Sequence, residues 1–398
     1  MKILFVANRF PYPPFRGDKL KIWHLAQVLS ARGHELHLIT FLENPEDRKY
    51  LPELEKFFHR IELVSLPRAQ SVSSVARGLF SKSPLQVLYF KSAKMQQQID
   101  ALLRENKYDA VHVQHLRMAP YLQGHSEVRR ILDLPDAFSL YWSRRLEATQ
   151  NPVRRLAYGR EQSRIFRFEK QMLPQFDQVL VCSSEDLQYL KNAHWLDNLG
   201  LLPNGVDLKS FASAGGHDYG ITNQILFTGN MDYAPNVDAV VYFAKDIFPR
   251  ILAACPNAVF TIAGQRPVKA VTALATDNIR VTGFIPDLST IYAAATVSVA
   301  PLRFGAGTQN KVLEALAMGL PVVCSAVGFQ GLNMADGSGA FLRENAADFA
   351  DAVIALLKDE ALRRQTGEAG SAHIRGHFGW EAVGAKLEVF LQHIDEAQ

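Results

Sequence analysis

The feature that most constrains this chain is a regular alternation of short β-branched runs with amphipathic stretches, carried through both halves of the sequence. In the first half the runs are KILFVA (2–7), ELHLITF (35–41), RIELVSL (60–66), DAVHVQH (109–115), RRILDL (129–134) and QVLVCS (178–183), with helical periodicity over 18–31, 94–106 and 160–173. The second half repeats the scheme with QILFTGN (224–230), AVFTIAG (258–264), IRVTGF (279–284), VSVAPL (297–302) and PVVCS (321–325), separated by helices near 236–253, 287–295, 309–318, 346–358 and 380–394. Strands that alternate with helices are joined by crossovers, which predicts an α/β protein of two Rossmann-like domains, each built on a parallel sheet, facing a cleft. At 398 residues and 48% hydrophobic the chain is too long for one core. The expected division is an N-terminal domain over 1–198, a linker over 199–222, a C-terminal domain over 223–375, and a C-terminal helix over 376–398 packing back on the first domain. The linker contains ASAGGHDYG (212–220), the most glycine-rich passage of the sequence.

Composition excludes several classes. No apolar run approaches the roughly eighteen residues of a spanning helix, and MKILFVANRFP reads as a buried first strand with no cleavage pattern behind it. A cytoplasmic protein is expected. Cys182, Cys255 and Cys324 stand far apart with no CxxC or Cys/His grouping, so they read as small buried side chains and not as a disulfide or zinc framework. The net charge of +3 gives no sign of nucleic-acid binding, but it divides unevenly. Residues 1–198 hold 29 Lys+Arg against 21 Asp+Glu, and the remainder holds 14 against 19. A basic first half suits a phosphate-bearing substrate or an anionic membrane face, and equally a chance imbalance of solvated surfaces. On that half, Arg160, Arg164 and Arg167 recur at helical spacing and predict a basic stripe, next to the Arg77-to-Lys82 stretch.

The richest chemistry lies in Ala300 to Val323. A strand ends at Leu302, a loop with Gly305 and Gly307 follows, and a helix opens near Thr308, Gln309 and Asn310, with Gly319 and Pro321 as its stop. Glycines let backbone N–H groups approach a ligand, and a helix N-terminus carries partial positive charge, so the segment predicts an anion site. On the helix, Val312, Leu313, Leu316 and Ala317 share one face while Lys311 and Glu314 take the other, free for a ligand or for an exposed ion pair with each other.

Together with GHELHLIT (33–40), YDAVHVQH (108–115), LLPNGVD (201–207), QILFTGN, TIAGQRP (261–267), VTGFIPD (281–287) and KVLEALAMGLPVV (311–323), this segment resembles the retaining glycosyltransferases of the GT-B fold, glycosyltransferase family 4. The resemblance runs over nearly the whole chain, with its motifs in order. It implies transfer of a sugar from a nucleotide diphosphate sugar to a hydroxyl of a glycan or lipid-linked glycan, with retention, in exopolysaccharide or cell-surface polysaccharide synthesis. No cofactor is implied beyond that co-substrate, and no metal, the chain having no D-x-D pair.

The resemblance also assigns residues. The family's E-x7-E pair places its ribose-binding glutamate on Glu314, and a carboxylate suits two vicinal hydroxyls. The first glutamate falls on Ala306, a departure that leaves the sugar to backbone groups of Gly307, Thr308 and Gln309. The Arg and Lys that relatives place on the diphosphate are absent from Gly229-Asn230-Met231-Asp232-Tyr233-Ala234-Pro235-Asn236. The substitutes are Lys311, Arg303 and Arg266, the last equally readable as a surface arginine. Phe284 and Ile285 fall where backbone groups meet the base. Arg16 and Gly17 fall in the acceptor and diphosphate loop. Asp18 is a helix cap or, in an inverting alternative, the general base. His115 aligns with the family's cleft histidine, whereas His112 reads as core. A catalytically silent nucleotide-sugar-binding scaffold is the alternative from another class.

Overall fold

The computed structural model describes residues 1–14, 17–211, 217–305 and 307–392. Arg16 and Ala306 lie outside the described residues. Seven parallel strands form one sheet: β1 (Lys2–Ala7), β2 (Glu35–Leu42), β3 (Arg60–Ser65), β4 (Ala110–Gln114), β5 (Arg129–Leu134), β6 (Gln178–Val181) and β7 (Leu199–Leu201), in the order β3-β2-β1-β4-β5-β6-β7. Six more form a second: β8 (Gln224–Thr228), β9 (Val259–Ala263), β10 (Ile279–Gly283), β11 (Val297–Ala300), β12 (Val322–Cys324) and β13 (Ala340–Leu342), in the order β10-β9-β8-β11-β12-β13. Both sheets are doubly wound, and the order reverses between β1 and β4 and between β8 and β11. In open sheets of this kind the crevice for a ligand opens at that reversal.

Helices cover both faces, so the strands are apolar on both sides. In β1 the pleat sends Leu4 and Val6 into one core and Ile3, Phe5 and Ala7 into the other. Cys182, Cys255 and Cys324 are buried and form no disulfide among the described residues.

The chain divides into two compact units, Met1–Asn204 with the C-terminal helix from Trp380, and Gly205–Gly379. Three boundaries differ from those drawn on the sequence. Residues 199–201 are the seventh strand of the first sheet, because Val179, Leu180 and Val181 offer a free edge that Leu199, Gly200 and Leu201 pair with. Tyr219, placed in the linker, is buried in the second unit, where its hydroxyl donates to the Gly319 carbonyl at 3.1 Å and its own carbonyl accepts from Arg363. The segment drawn from 376 joins the first unit only at Trp380, where the helix read near 380–394 starts, because residues up to His377 complete the helix Glu360–His377 and Gly379 pairs with Val206. That helix, Trp380–Leu391, buries Trp380, Val383, Leu387 and Leu391 in the first unit's core, with Trp380 stacked on His24 of the Gly17–Ala31 helix.

The 18-residue helix Glu360–His377 has no counterpart in the sequence reading. Its buried face is Arg363, Thr366, Gly367, Gly370 and Ile374, nearly devoid of the large apolar residues that make periodicity visible. Gly367 lies so close to Gly319 that a Cβ would stand 2.0 Å from the Gly319 oxygen. Close backbone approach, rather than apolar area, seats this helix.

Candidate functional site

In the second unit the carboxyl ends of three strands stand side by side. The Gly229 N–H donates to Ala263 at 3.0 Å, and the Gly264 N–H donates to Gly283 at 3.0 Å. Past β11, Gly305 (φ +153°) and Gly307 (φ +73°) turn the chain through the buried Thr308 into the helix Asn310–Ala317. Gln309 takes the N-cap position. Val312, Leu313, Leu316 and Ala317 anchor the helix in the core, which turns Lys311 and Glu314 toward the strand ends.

Lys311 and Glu314 are half-buried, and they form no direct ion pair with each other among the described residues. Each has its own partners. The Lys311 ammonium donates to Asn236 Oδ1 at 3.1 Å and to Gln309 Oε1 at 3.3 Å, and lies 5.3 Å over the Phe227 ring. Burial pulls its pKa down to about 8 against the opposing pull of Glu314. Asn236 in turn donates to the Asn230 carbonyl at 3.0 Å, and Gln265 donates to Asn230 Oδ1 at 2.8 Å. Glu314 accepts from the Tyr292 hydroxyl at 2.9 Å. Burial raises the Glu314 pKa, while the Tyr292 hydrogen bond and Lys311 lower it. Asn230, Lys311 and Glu314 are thus joined in one network, completed by Asn236, Gln265 and Tyr292, with Gly229 directly before Asn230 at the end of β8.

The other two cations are engaged elsewhere. Arg303 makes a two-pronged pair with Asp238 of the helix Ala234–Tyr242 and stacks 4.9 Å over Tyr242. That carboxylate and ring take up part of its planar guanidinium, while the side chain stays 54% exposed. Arg266, at φ +57°, is exposed and faces Asp232 at 3.5 Å. At the end of β10, Phe284 is 52% exposed and Ile285 is half-buried against the core.

In the first unit, His115 follows β4 at φ +82°, its N–H bonded to the Asp133 carbonyl at 2.8 Å and its ring 4.5 Å from that of Phe138. Burial, then Arg117 and Arg9, drive its pKa well below the ordinary imidazole value, so the ring is neutral near pH 7. Gly17 opens the first helix. Asp18, in its first turn, is held by Arg9 at 2.8 Å, and its carbonyl accepts from Gln114. Beneath them lies a buried ionic group: Lys21 reaches Asp133 at 2.7 Å and the Leu202 carbonyl at 3.1 Å, while His112 meets Asp133 at 3.2 Å. His112 is core, as its strand position requires.

The basic stripe does not form. On the helix Pro152–Met172, Arg164 is 3% exposed and pairs with Glu161 at 3.3 Å, so only Arg160 and Arg167 of the three reach solvent. Glu161 and Glu169 are buried on the same helix and draw charge inward, a polar interior that spacing alone cannot reveal.

Residues 22–210 match the family model described as Glycosyltransferase Family 4, and residues 222–359 the one described as Glycosyl transferases group 1. The chain is 22% identical to an uncharacterized 44.6 kDa protein in the cps region of Klebsiella pneumoniae, over 90% of this chain and 91% of that protein. It is 30% identical to the GDP-mannose-dependent monoacylated alpha-(1-6)-phosphatidylinositol monomannoside mannosyltransferase of Corynebacterium glutamicum, over 48% of this chain and 55% of that protein. That match thus spans about half the relative's length. Among solved structures, sucrose-phosphate synthase of Thermosynechococcus elongatus superposes with a TM-score of 0.75 at 18% identity, covering 100% of both chains. Anabaena HepE in complex with UDP-glucose does so with a TM-score of 0.67 at 15% identity, over 98% of this chain and 99% of that one. At such identities the superpositions show a shared fold.

Proposed function

The chain belongs to the family 4 glycosyltransferases of the GT-B fold, and from that premise we propose that it moves a sugar from a nucleotide diphosphate sugar to a hydroxyl of a glycan or lipid-linked glycan, with retention of configuration, in surface or extracellular polysaccharide synthesis. The observation that carries the reading is the network at the second unit's strand ends, which presents one cation, Lys311, and one carboxylate, Glu314, a turn apart on one helix. Glu314 accepts from the ribose hydroxyls. Lys311 meets the diphosphate, whose negative charge grows as the glycosidic bond breaks, and the turn from Gly305 to Asn310 lays backbone N–H groups toward the sugar and phosphates.

On this reading the sugar passes through an oxocarbenium-like state. The departing phosphate takes the proton of the acceptor hydroxyl, and both events occur on one face. His115, neutral, serves as a hydrogen-bonding partner for sugar hydroxyls. Asp18 is tied to Arg9, an arrangement that favours a positioning task at the head of its helix over a general base. The occurrence of a relative in a Klebsiella cps region supports the polysaccharide role. The decisive experiment incubates purified protein with UDP- and GDP-sugars and a panel of lipid-linked and soluble glycans, and reads the product's anomeric configuration by NMR. An inverted product, or neither transfer nor donor hydrolysis, refutes the reading.

Glu314→Gln is expected to weaken nucleoside diphosphate binding about 10-fold, in line with losing one hydrogen bond to a charged group, while leaving the melting temperature near wild type. Unchanged affinity by calorimetry would remove Glu314 from the ribose.

We place the protein at the cytoplasmic face of an anionic membrane, in peripheral contact. No helix among the described residues is long and apolar enough to cross one. Exposed Phe80 lies in sequence between the exposed Arg77 and Lys82, and exposed Val153 and Leu156 lie beside the exposed Arg154, Arg155 and Arg160, two segments whose mix of apolar and basic groups suits an interfacial site. Sedimentation with anionic vesicles should be salt-reversible and should weaken on charge reversal at Arg154, Arg155 and Arg160, each basic group near the surface contributing about 1 kcal/mol. Protein that stays in the supernatant at low salt ends this part of the proposal.

A further inference from the structure

Tyr292, on the helix Leu288–Ala293, is fully buried yet carries a hydroxyl at the junction of three polar groups. Thr228 Oγ1, at the end of β8, lies 2.6 Å away, Glu314 Oε2 2.9 Å, and the Lys311 carbonyl 3.3 Å. A phenol has one proton to give. The carboxylate and the carbonyl only accept, whereas the threonine hydroxyl does both. With Thr228 donating to the Tyr292 oxygen, the single phenol proton goes to Glu314, the shorter and charged of its two remaining contacts, rather than to the Lys311 carbonyl. Burial, reinforced by Glu314, holds the phenol's ionisation well above its usual range, so the donor is permanent.

We propose that Tyr292 is a positioning residue which, backed by Thr228, engages one oxygen of Glu314 and aims the other at the ribose of the donor, making the site select ribonucleotides over 2′-deoxyribonucleotides. The proposal rests on Glu314 being the ribose-binding group. Its physical basis is the asymmetry of the carboxylate: with Oε2 held by a buried, nearly immobile ring, rotation about the last side-chain bond is lost before the ligand arrives. The entropic cost of ordering is then not charged to binding. Tyr292 is itself fixed, packed edge-on against Phe211 at 5.9 Å within the second unit. The signal was present in sequence only as the tyrosine of the DLSTIYAAA stretch, within the helix expected near 287–295. The contact with Glu314 spans 22 residues and the one with Thr228 spans 64.

The test measures affinities of UDP, GDP and ADP and of their 2′-deoxy counterparts for wild type, Tyr292→Phe, Thr228→Val and Glu314→Gln, by calorimetry. Wild type should prefer the ribonucleotide by about 10- to 100-fold, as a hydrogen bond to a charged group implies. Tyr292→Phe keeps the ring and its packing, and is expected to bring that preference to within about three-fold of unity, with a smaller loss in Thr228→Val. A purely structural role predicts that both nucleotides weaken together with their ratio unchanged, and that outcome overturns the proposal. If Glu314→Gln collapses the ratio and Tyr292→Phe does not, the ribose assignment stands and the role of Tyr292 falls. If Glu314→Gln leaves the ratio intact, or no nucleotide in the panel binds wild type, the underlying reading falls and this inference with it.

Discussion

Replacement of Lys311 by alanine is expected to lower turnover about 100-fold while changing donor affinity by only a few-fold, the size of effect found when one preorganised charge-stabilising donor is removed. The split follows from timing. A nucleotide diphosphate sugar is already anionic when it binds, but the additional charge appears on the leaving phosphate as the bond breaks, so a cation placed there stabilises the transition state more than the ground state. The structure sharpens the expectation, because Arg303 is committed to Asp238 and Arg266 faces Asp232, leaving Lys311 as the cation of the network around Glu314. A pH dependence follows from its pKa of about 8 in the free protein. As pH rises through that value Lys311 loses its proton and its charge, so kcat/KM, which reports the free enzyme, should decline above about pH 8. Lys311→Arg retains the charge at alkaline pH and should remove this limb. A silent Lys311→Ala combined with an inactive Arg303→Ala or Arg266→Ala would show that a different cation meets the phosphate.

Gly264→Ala is expected to destabilise the second unit by about 4 kcal/mol or more, placing it among the rare severe single substitutions. Gly264 has φ +154°, and a Cβ there would stand 1.6 Å from the Gly229 carbonyl oxygen. The obstacle is backbone, with no flexible side chain to swing away, and Gly229 is itself pinned by its own bond to Ala263 at 3.0 Å. The carboxyl ends of β8 and β9 would have to separate, taking the Asn230, Gln265 and Asn236 network with them. Gly283→Ala is the control: it has φ +75° but nothing within 4 Å of the added methyl, so only the intrinsic penalty of about 1–2 kcal/mol applies. Thermal unfolding should show Gly264→Ala melting about 10 °C or more below wild type, with the control much closer. Equal melting temperatures for the two variants would mean that the approach of the two strand ends is not rigid.

Much of the architecture was legible because alternating strands and amphipathic helices leave few topologies open. The periodicity over 346–358 corresponds to the helix Ala346–Lys358, and the expected strand 129–134 to β5. The helix Glu360–His377 and the three-residue β13 were not legible, the first because glycines line its buried face and the second because three residues carry no period. In the site, Lys311 and Glu314 could be singled out because they share the polar side of a helix that follows a glycine turn. Their partners could not. Asn236 lies 75 residues from Lys311, and neither an asparagine nor a buried tyrosine announces what its polar atoms will meet.

By itself, the sequence determined two doubly wound sheets, the turn and helix that display Lys311 and Glu314, and the family whose motifs those elements carry. Tertiary structure alone decided which charged groups remain available. It turned Arg164 inward onto Glu161, tied Arg303 to Asp238 and Asp18 to Arg9, and set Tyr292 beneath Glu314. The physical reason lies in what a sequence pattern can carry. Periodicity records which side of an element is apolar, a local property written every second or every third to fourth residue. The partner of a polar group is fixed by how the elements pack, whether it stands three residues away, as Glu161 does from Arg164, or 65, as Asp238 does from Arg303, and it leaves no mark on the segment that makes it.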